Sequence, residues 1–267
     1  MKTEYLQHKG AEISVENTSL TVCKGWLESL PEHQRNVKRG SVKAFVRDLE
    51  ALRWTFNGAT ICFDASGALI DGQHRLLAFI EADTFPSVIV VRGLSSNAYS
   101  DIDSGISRTY SDAFKHAGIP SYAAASSACN AWKTYGAGGS PRTYRASKKE
   151  LIEAYENHSE SITWALYRWA SLDGLISQTR RVFLCSYAYE RMGEELTTSF
   201  FNALENSVGS ESAIAFRKVL VRESNKTRGK IPQDEVMALG LKAMRAHSQG
   251  RQLKVLKWLA GEPLASF

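Results

Sequence analysis

The stretch from Ala59 to Leu94, ATICFDASGALIDGQHRLLAFIEADTFPSVIVVRGL, changes its hydrophobic period several times and so constrains the fold most. Ile61 and Phe63 alternate with Cys62 and Asp64, which predicts a short strand. Ala65-Ser66-Gly67 predicts a turn and Ala68 to Ile70 a second strand, together a hairpin. Asp71-Gly72 ends it. His74 to Ala82 reads as a helix with Leu76, Leu77, Phe79 and Ile80 as its apolar contacts, and Val88 to Val91 as a short buried strand. Upstream, Val42, Phe45, Val46, Leu49 and Leu52 recur at helical spacing, with Ser41 as the expected cap and Asn57-Gly58 as the break. Helix, hairpin, helix, strand is the order of a small mixed α/β unit.

Outside this stretch the pattern differs. Residues 1 to 30 read as a lead-in with one amphipathic segment, Leu20 to Leu30, closed by Pro31. Beyond about residue 95 strand-like runs nearly vanish. Ser147 and Glu150 form a capping box that opens a helix from Lys148 to Asn157. Thr179 to Met192, Leu196 to Glu205, Ser212 to Arg222 and Gln233 to His247 are further helical stretches. Gly136 to Ser140 reads as a linker and Asn225 to Lys230 as a basic loop. The expected fold class is α+β: a mixed α/β module over 1–115, then a mostly α-helical region over 116–267.

Composition removes several classes. With 43% hydrophobic and 23% charged residues, the chain is not a disordered, collagen-like or coiled-coil sequence. It has no apolar run near the roughly 18 residues of a membrane span. Its first residues show no apolar core of a secretory signal, so a cytoplasmic protein of a bacterium or a phage-infected host is expected. Cys23, Cys62, Cys129 and Cys185 are scattered and fit buried, reduced thiols better than a zinc site or a disulfide framework. The net charge of +5 is unevenly spread. Between Arg217 and Lys257 eleven basic residues face three acids, a net +8. A phosphate-rich partner for this segment, DNA or another nucleic acid, is one reading, with Arg222, Lys226, Arg228, Lys230, Arg251, Lys254 and Lys257 as its contacts. A solubilising helix surface is the other.

Three short segments carry candidate chemistry. In Ile70-Asp71-Gly72-Gln73-His74-Arg75-Leu76 a strand ends at a glycine and a helix begins. Such a helix start offers unpaired N–H groups and partial positive charge, which suit phosphate. His74 and Arg75 would add charge-assisted donors. The alternative is a structural turn in which Arg75 pairs with a nearby acid. In Ile102-Asp103-Ser104-Gly105-Ile106-Ser107-Arg108-Thr109, Asp103 can hold a divalent cation and Arg108 can reach a phosphate, or the two can bridge across a turn. Gln34-Arg35-Asn36 is the third, otherwise a solvated loop. P-loop, HExxH and GxSxG patterns are absent.

In this order the segments resemble the ParB/sulfiredoxin superfamily. Gly72-Gln73-His74-Arg75-Leu76-Leu77-Ala78 is similar to the GERRxRA box of partition-type members, and Gly72 to Arg75 matches the sulfiredoxin GCHR box except at the cysteine. Asp71 to Arg75 is the literal motif of DGQHR proteins. The wider pattern, from QRN through IDSGISRT and on to the Leu241 to Trp258 segment, resembles phage and bacterial proteins labelled ParB-like.

The resemblance implies a nucleoside triphosphate, ATP or CTP, held with Mg²⁺. Gly72, Gln73, His74 and Arg75 would bind its phosphates. Asp103 would place the metal, and Arg108, Thr109 and Arg35 would assist. His74 and Arg75 would stabilise transferring charge, with Asp71 as a candidate base. Gln73 stands where sulfiredoxins have their nucleophile, which disfavours that activity, and no helix-turn-helix is evident after residue 110. The expected activity is an NTPase or phosphotransferase associated with DNA. The alternatives are a kinase of a small alcohol or hydroxylated base, and a non-catalytic DNA-binding regulator. A nuclease ranks last, because no carboxylate cluster would hold two metals. The oligomeric state is open, with a homodimer as one option.

Overall fold

In a computed structural model of the chain, residues 6–8, 10–31, 36–95, 98, 102, 108–136, 144–228 and 231–258 are described. The chain divides into two units, Met1–Arg108 and Thr109–Phe267. The boundary expected at 115/116 falls in the last turn of the first helix of the second unit. The fold is mixed α+β.

The first unit is a five-stranded mixed sheet with its helices on one face. Its elements are β1 (Leu6–His8), β2 (Ala11–Asn17), α1 (Leu20–Glu28), α2 (Arg39–Glu50), β3 (Thr60–Asp64), β4 (Leu69–Asp71), α3 (Gln73–Glu81) and β5 (Ser87–Leu94). The strand order is β1-β2-β5-β3-β4. Strands β3 and β4 form the expected hairpin, and β5 returns parallel to β3 through α3. A parallel pair needs such a crossover, because its strands start at the same end.

Side chains explain each element. Asp64 Oδ1 closes the β3–β4 turn, accepting from the Ser66 and Ala68 N–H groups at 2.9 Å each. Ser19 caps α1 by accepting from Val22 N at 3.2 Å. The helix α2 begins earlier than its sequence signal: Lys38 is the N-cap and makes no side-chain cap, while Ser41 lies inside the first turn. Ile61, Phe63, Leu69, Val88 and Val90 from the sheet bury against Cys23, Val42, Val46, Leu49, Leu76 and Phe79 from the helices. Trp54 meets the Phe79 ring edge-on at 5.2 Å.

The lead-in is where the sequence reading needs correction. Residues 11–17 are a central strand of the sheet, paired with both β1 and β5. Their polarity is inverted: Ser14 is 3% exposed, whereas its neighbour Val15 is 47% exposed. Ser14 donates to Glu16, which is ion-paired to Arg92 on β5, and the Arg92 guanidinium lies over the rings of Phe63 and Trp26.

The described residues of the second unit are helical or irregular. Its helices are α4 (Tyr110–His116), α5 (Tyr122–Ala131), α6 (Lys148–Ala165), α7 (Gln178–Asn206), α8 (Glu211–Ser224) and α9 (Gln233–Ser248). A π-helical turn, Trp132–Gly136, extends α5, and a 3₁₀ turn, Ala170–Gly174, precedes α7. The Ser147–Glu150 capping box is present, and α6 kinks at His158, directly after the expected helix end at Asn157. The two stretches expected around residues 179–205 are one helix broken at Gly193, whose φ of +81° and ψ of 169° only glycine adopts readily. Phe183, Phe200, Phe201, Phe216, Met237 and Met244 are central to the core. The four cysteines are buried free thiols, as expected. Among the described residues no helix is long and apolar enough to cross a membrane.

Candidate functional site

The box at residues 71–75 sits where β4 passes into α3. Gly72 is the N-cap with φ +112°, and a Cβ there would lie 2.5 Å from Ile61 Cδ1 and 3.4 Å from Ile61 Cα. The position favours glycine because its backbone is left-handed, and a Cβ would in addition force the end of the Ile61 side chain to shift. Gly72 has no side chain with which to cap α3, so the helix start is left to other donors and acceptors.

Asp71 and Arg75 close over this turn. Asp71 Oδ1 accepts from Gly72 N at 2.7 Å, and Asp71 Oδ2 accepts from Arg75 Nη2 at 2.7 Å. The same Nη2 donates to the Thr60 carbonyl at 2.6 Å, tying α3 to the start of β3. Both Asp71 oxygens are thus engaged within the turn, so in this arrangement neither is free to take a proton from a substrate. One Arg75 nitrogen is committed to structure. Its Nε and Nη1 have no hydrogen-bond partner among the described residues.

His74 also departs from expectation. Its Nε2 accepts from the Lys38 N–H at 2.9 Å, so in this arrangement that nitrogen is unprotonated and cannot donate to a phosphate. The contact pins the start of α2 to the start of α3. Gln73 is different. Its Oε1 is buried without a hydrogen-bond partner, and its backbone N–H has none among the described residues. Cys62 stands opposite Asp71 in the hairpin register. Burial pushes its thiol up from the ordinary value, and the Asp71 charge adds to that, so it is not an activated nucleophile.

The other candidates are dispersed. Arg35, Asp103 and Lys230 lie outside the described residues. Arg108 is exposed, the last residue of the first unit. Thr109 is the N-cap of α4: its N–H and hydroxyl donate to Asp112 Oδ2 at 2.7 and 2.8 Å. That reciprocal capping box is a sufficient structural reason for the residue. Among the described residues no group of three or more His, Cys, Asp and Glu is arranged to hold a metal.

The basic candidates of the second unit fall into two kinds. Arg222 and Lys226 donate to Glu223 Oε1 at 3.1 and 2.8 Å, so this carboxylate offsets part of their charge at the surface. Arg228, Arg251, Lys254 and Lys257 are exposed.

Two features had no sequence signal. The partners of His74 and Arg75 at Lys38 and Thr60 are backbone groups, invisible to a motif. In the second unit His158 stacks on Trp132 at 3.8 Å between ring centroids, and its Nδ1 lies 2.9 Å from Glu190 Oε1. Ser161 donates to that same oxygen at 2.5 Å, away from the imidazole, so the three do not form a nucleophile–base relay. Their long sequence separation hides the cluster.

No protein-family profile, curated protein or solved structure matches this chain.

Proposed function

We propose that residues 1–108 form a ParB/sulfiredoxin-like module that binds a nucleoside triphosphate, ATP or CTP with Mg²⁺, at the start of α3. In this reading the protein acts as an NTPase or phosphotransferase at nucleic acid. One observation carries the reading: α3 opens on a capless Gly72 and leaves one residue, Gln73, with both an unpaired backbone donor and a buried unpaired acceptor. An unpaired N–H at a helix start favours an anion. A buried carbonyl oxygen without a partner is costly until a donor meets it. A nucleotide supplies both kinds of group, phosphate oxygens and hydroxyl or amino hydrogens.

The residues present fit the phosphate better than the metal. Gln73 N–H and the two uncommitted Arg75 nitrogens would hold phosphate, while Asp71 and Thr60 fix the guanidinium. Bound Mg²⁺ would neutralise phosphate charge; Asp103 is its candidate protein ligand and lies outside the described residues. A second reading, a non-catalytic DNA-binding regulator whose box grips a backbone phosphate, is favoured by the engagement of both Asp71 oxygens. That geometry leaves the box without a free carboxylate base.

The test is thermal melting of the full chain with ATP, CTP or GTP and Mg²⁺. A ligand of the native state at 100 times its Kd stabilises by about 2.7 kcal/mol. A nucleotide-dependent rise in Tm that Gln73→Glu removes, with the apo Tm retained, supports the nucleotide reading. No rise with any nucleotide from folded protein overturns it in favour of the second.

A further inference from the structure

The second unit ends its described part in a strap, residues 251–258, that is neither helix nor strand. This strap is fixed to the core. Ser212, 1% exposed, donates its hydroxyl to the Arg251 carbonyl at 3.0 Å and accepts from Leu253 N at 3.0 Å. Six residues beyond Arg251, the Lys257 carbonyl accepts from Lys242 Nζ on α9 at 2.9 Å. Leu256 is 8% exposed and joins the core, and Leu253 and Trp258 pack against it. Leu253, Leu256 and Trp258 therefore turn inward, while Arg251, Lys254 and Lys257, three apart, are left exposed, with Val255 between them.

Basic residues accumulate along this part of the sequence. From Val236 to Trp258 the chain has no Asp or Glu. Arg245, one turn beyond Lys242 and so on the same side of α9, is half-buried. Its Nε is buried with no hydrogen-bond partner, and it forms no ion pair among the described residues. A cation drawn partly out of water without a counter-charge is unfavourable until an anion arrives.

We infer that the strap and the facing side of α9 form the nucleic-acid contact surface, with Arg245 as its anchor. The inference rests on the reading of the chain as acting at nucleic acid, and it replaces Arg222 and Lys226 as contacts because Glu223 already holds them. The partner is the phosphate backbone of a duplex. Three exposed cations at every third residue of a strap that bends at residues 254–255 present separate charges, at most about 10 Å apart along the chain, which suits a row of phosphates better than one small anion. A membrane would be gripped by apolar side chains too, and the strap exposes only Val255 for that, at 69%. Single strands bind on aromatic platforms, and Trp258, the strap's aromatic residue, packs on the core. Fixing the strap at both ends holds the charges in place before binding, which lowers the ordering cost.

Fluorescence anisotropy of the full chain with a labelled duplex, over a series of NaCl concentrations, tests this. The logarithm of the wild-type binding constant falls linearly with the logarithm of salt concentration. Arg251→Gln/Lys254→Gln/Lys257→Gln, all exposed, keeps the wild-type Tm and reduces the slope by about 2.7, or about 0.9 for each phosphate that is no longer neutralised. Arg245→Gln weakens binding without lowering Tm, and Arg222→Gln/Lys226→Gln leaves the slope unchanged. Wild-type protein that binds while the triple variant keeps the full slope overturns the surface and spares the nucleic-acid reading. Folded wild-type protein with no salt-dependent duplex binding overturns that reading, and the surface with it. Binding to vesicles of anionic lipid at salt concentrations where duplex is not bound overturns the duplex as partner.

Discussion

Arg75 and Asp71 form an ion pair four residues apart, at 2.7 Å, and the same arginine nitrogen reaches the Thr60 carbonyl at 2.6 Å. The side chains are only 14% and 21% exposed, so water is a poor substitute for either partner. Replacing Arg75 with Ala leaves Asp71 and the Thr60 carbonyl short of a donor and is expected to cost about 1–3 kcal/mol. Asp71→Asn should cost less, because an amide oxygen still accepts from Gly72 N. The double variant should fall short of the sum of the two by an amount readable in urea midpoints, since both changes remove the same ion pair. Additive effects would mean that the pair does not stabilise the turn.

Gly72→Ala should destabilise the first unit by about 1–3 kcal/mol through backbone strain alone, with the clash against Ile61 adding to it. The test is a cycle with Ile61→Val. Valine removes Cδ1, the atom that would lie 2.5 Å from the new Cβ, and leaves Cγ2 at 3.3 Å. The Gly72→Ala penalty should therefore be smaller in the Ile61→Val background when Tm is compared across the four proteins. An equal penalty in both backgrounds would assign the whole effect to φ.

What the sequence conveyed and what it hid follow from the range of each interaction. The β3–β4 hairpin, α3 and β5 were legible because period two gives way to period 3.6 and back within a short span. The break at Gly193 was legible because glycine separates two apolar faces. The strand β2 was not, because its buried residue is Ser14 and its exposed one Val15, the reverse of the usual pattern. What rescues that inversion is Arg92 on β5, distant in the chain. The box was legible as a strand–glycine–helix junction. The pairing of Arg75 with a nearby acid was legible as the structural alternative; the bonds of His74 to Lys38 N and of Asp71 to Gly72 N were not, since backbone donors have no residue signature.

The largest single loss of stability is expected at Arg181, whose side chain is fully buried. It donates to both oxygens of Asp173, at 2.6 and 3.2 Å, and to the carbonyls of Ala165, Leu166 and Arg168. The Ala165 and Leu166 carbonyls end α6, where no following turn of helix satisfies them, and the Arg168 carbonyl lies in the turn beyond. Arg181→Met should cost about 3–5 kcal/mol, as the loss of one partner of a buried network does. Asp173→Asn should cost less, because Asp173 is 33% exposed and the bonds to the carbonyls survive. Denaturant midpoints followed by far-UV circular dichroism would rank the two, and equal losses would place the weight on the ion pair rather than on the helix end.

Glu223 makes acid sensitivity a test of the loop after α8. Hydrogen bonds from Lys226, then from the Ile231 N–H and from Arg222, hold its carboxyl down from 4.5 to about 2. The folded state therefore prefers the carboxylate more than the unfolded chain does. Its stabilising contribution is complete above about pH 4.5 and disappears as the pH falls through about 2. Glu223→Gln keeps an acceptor for Ile231 N but loses the charge that Lys226 and Arg222 answer. Urea midpoints of the two proteins should differ most at neutral pH and converge between about pH 4.5 and about pH 2. A difference that stays constant across that window would show that shape and hydrogen bonding at residue 223, rather than its charge, hold the end of α8 to Ile231.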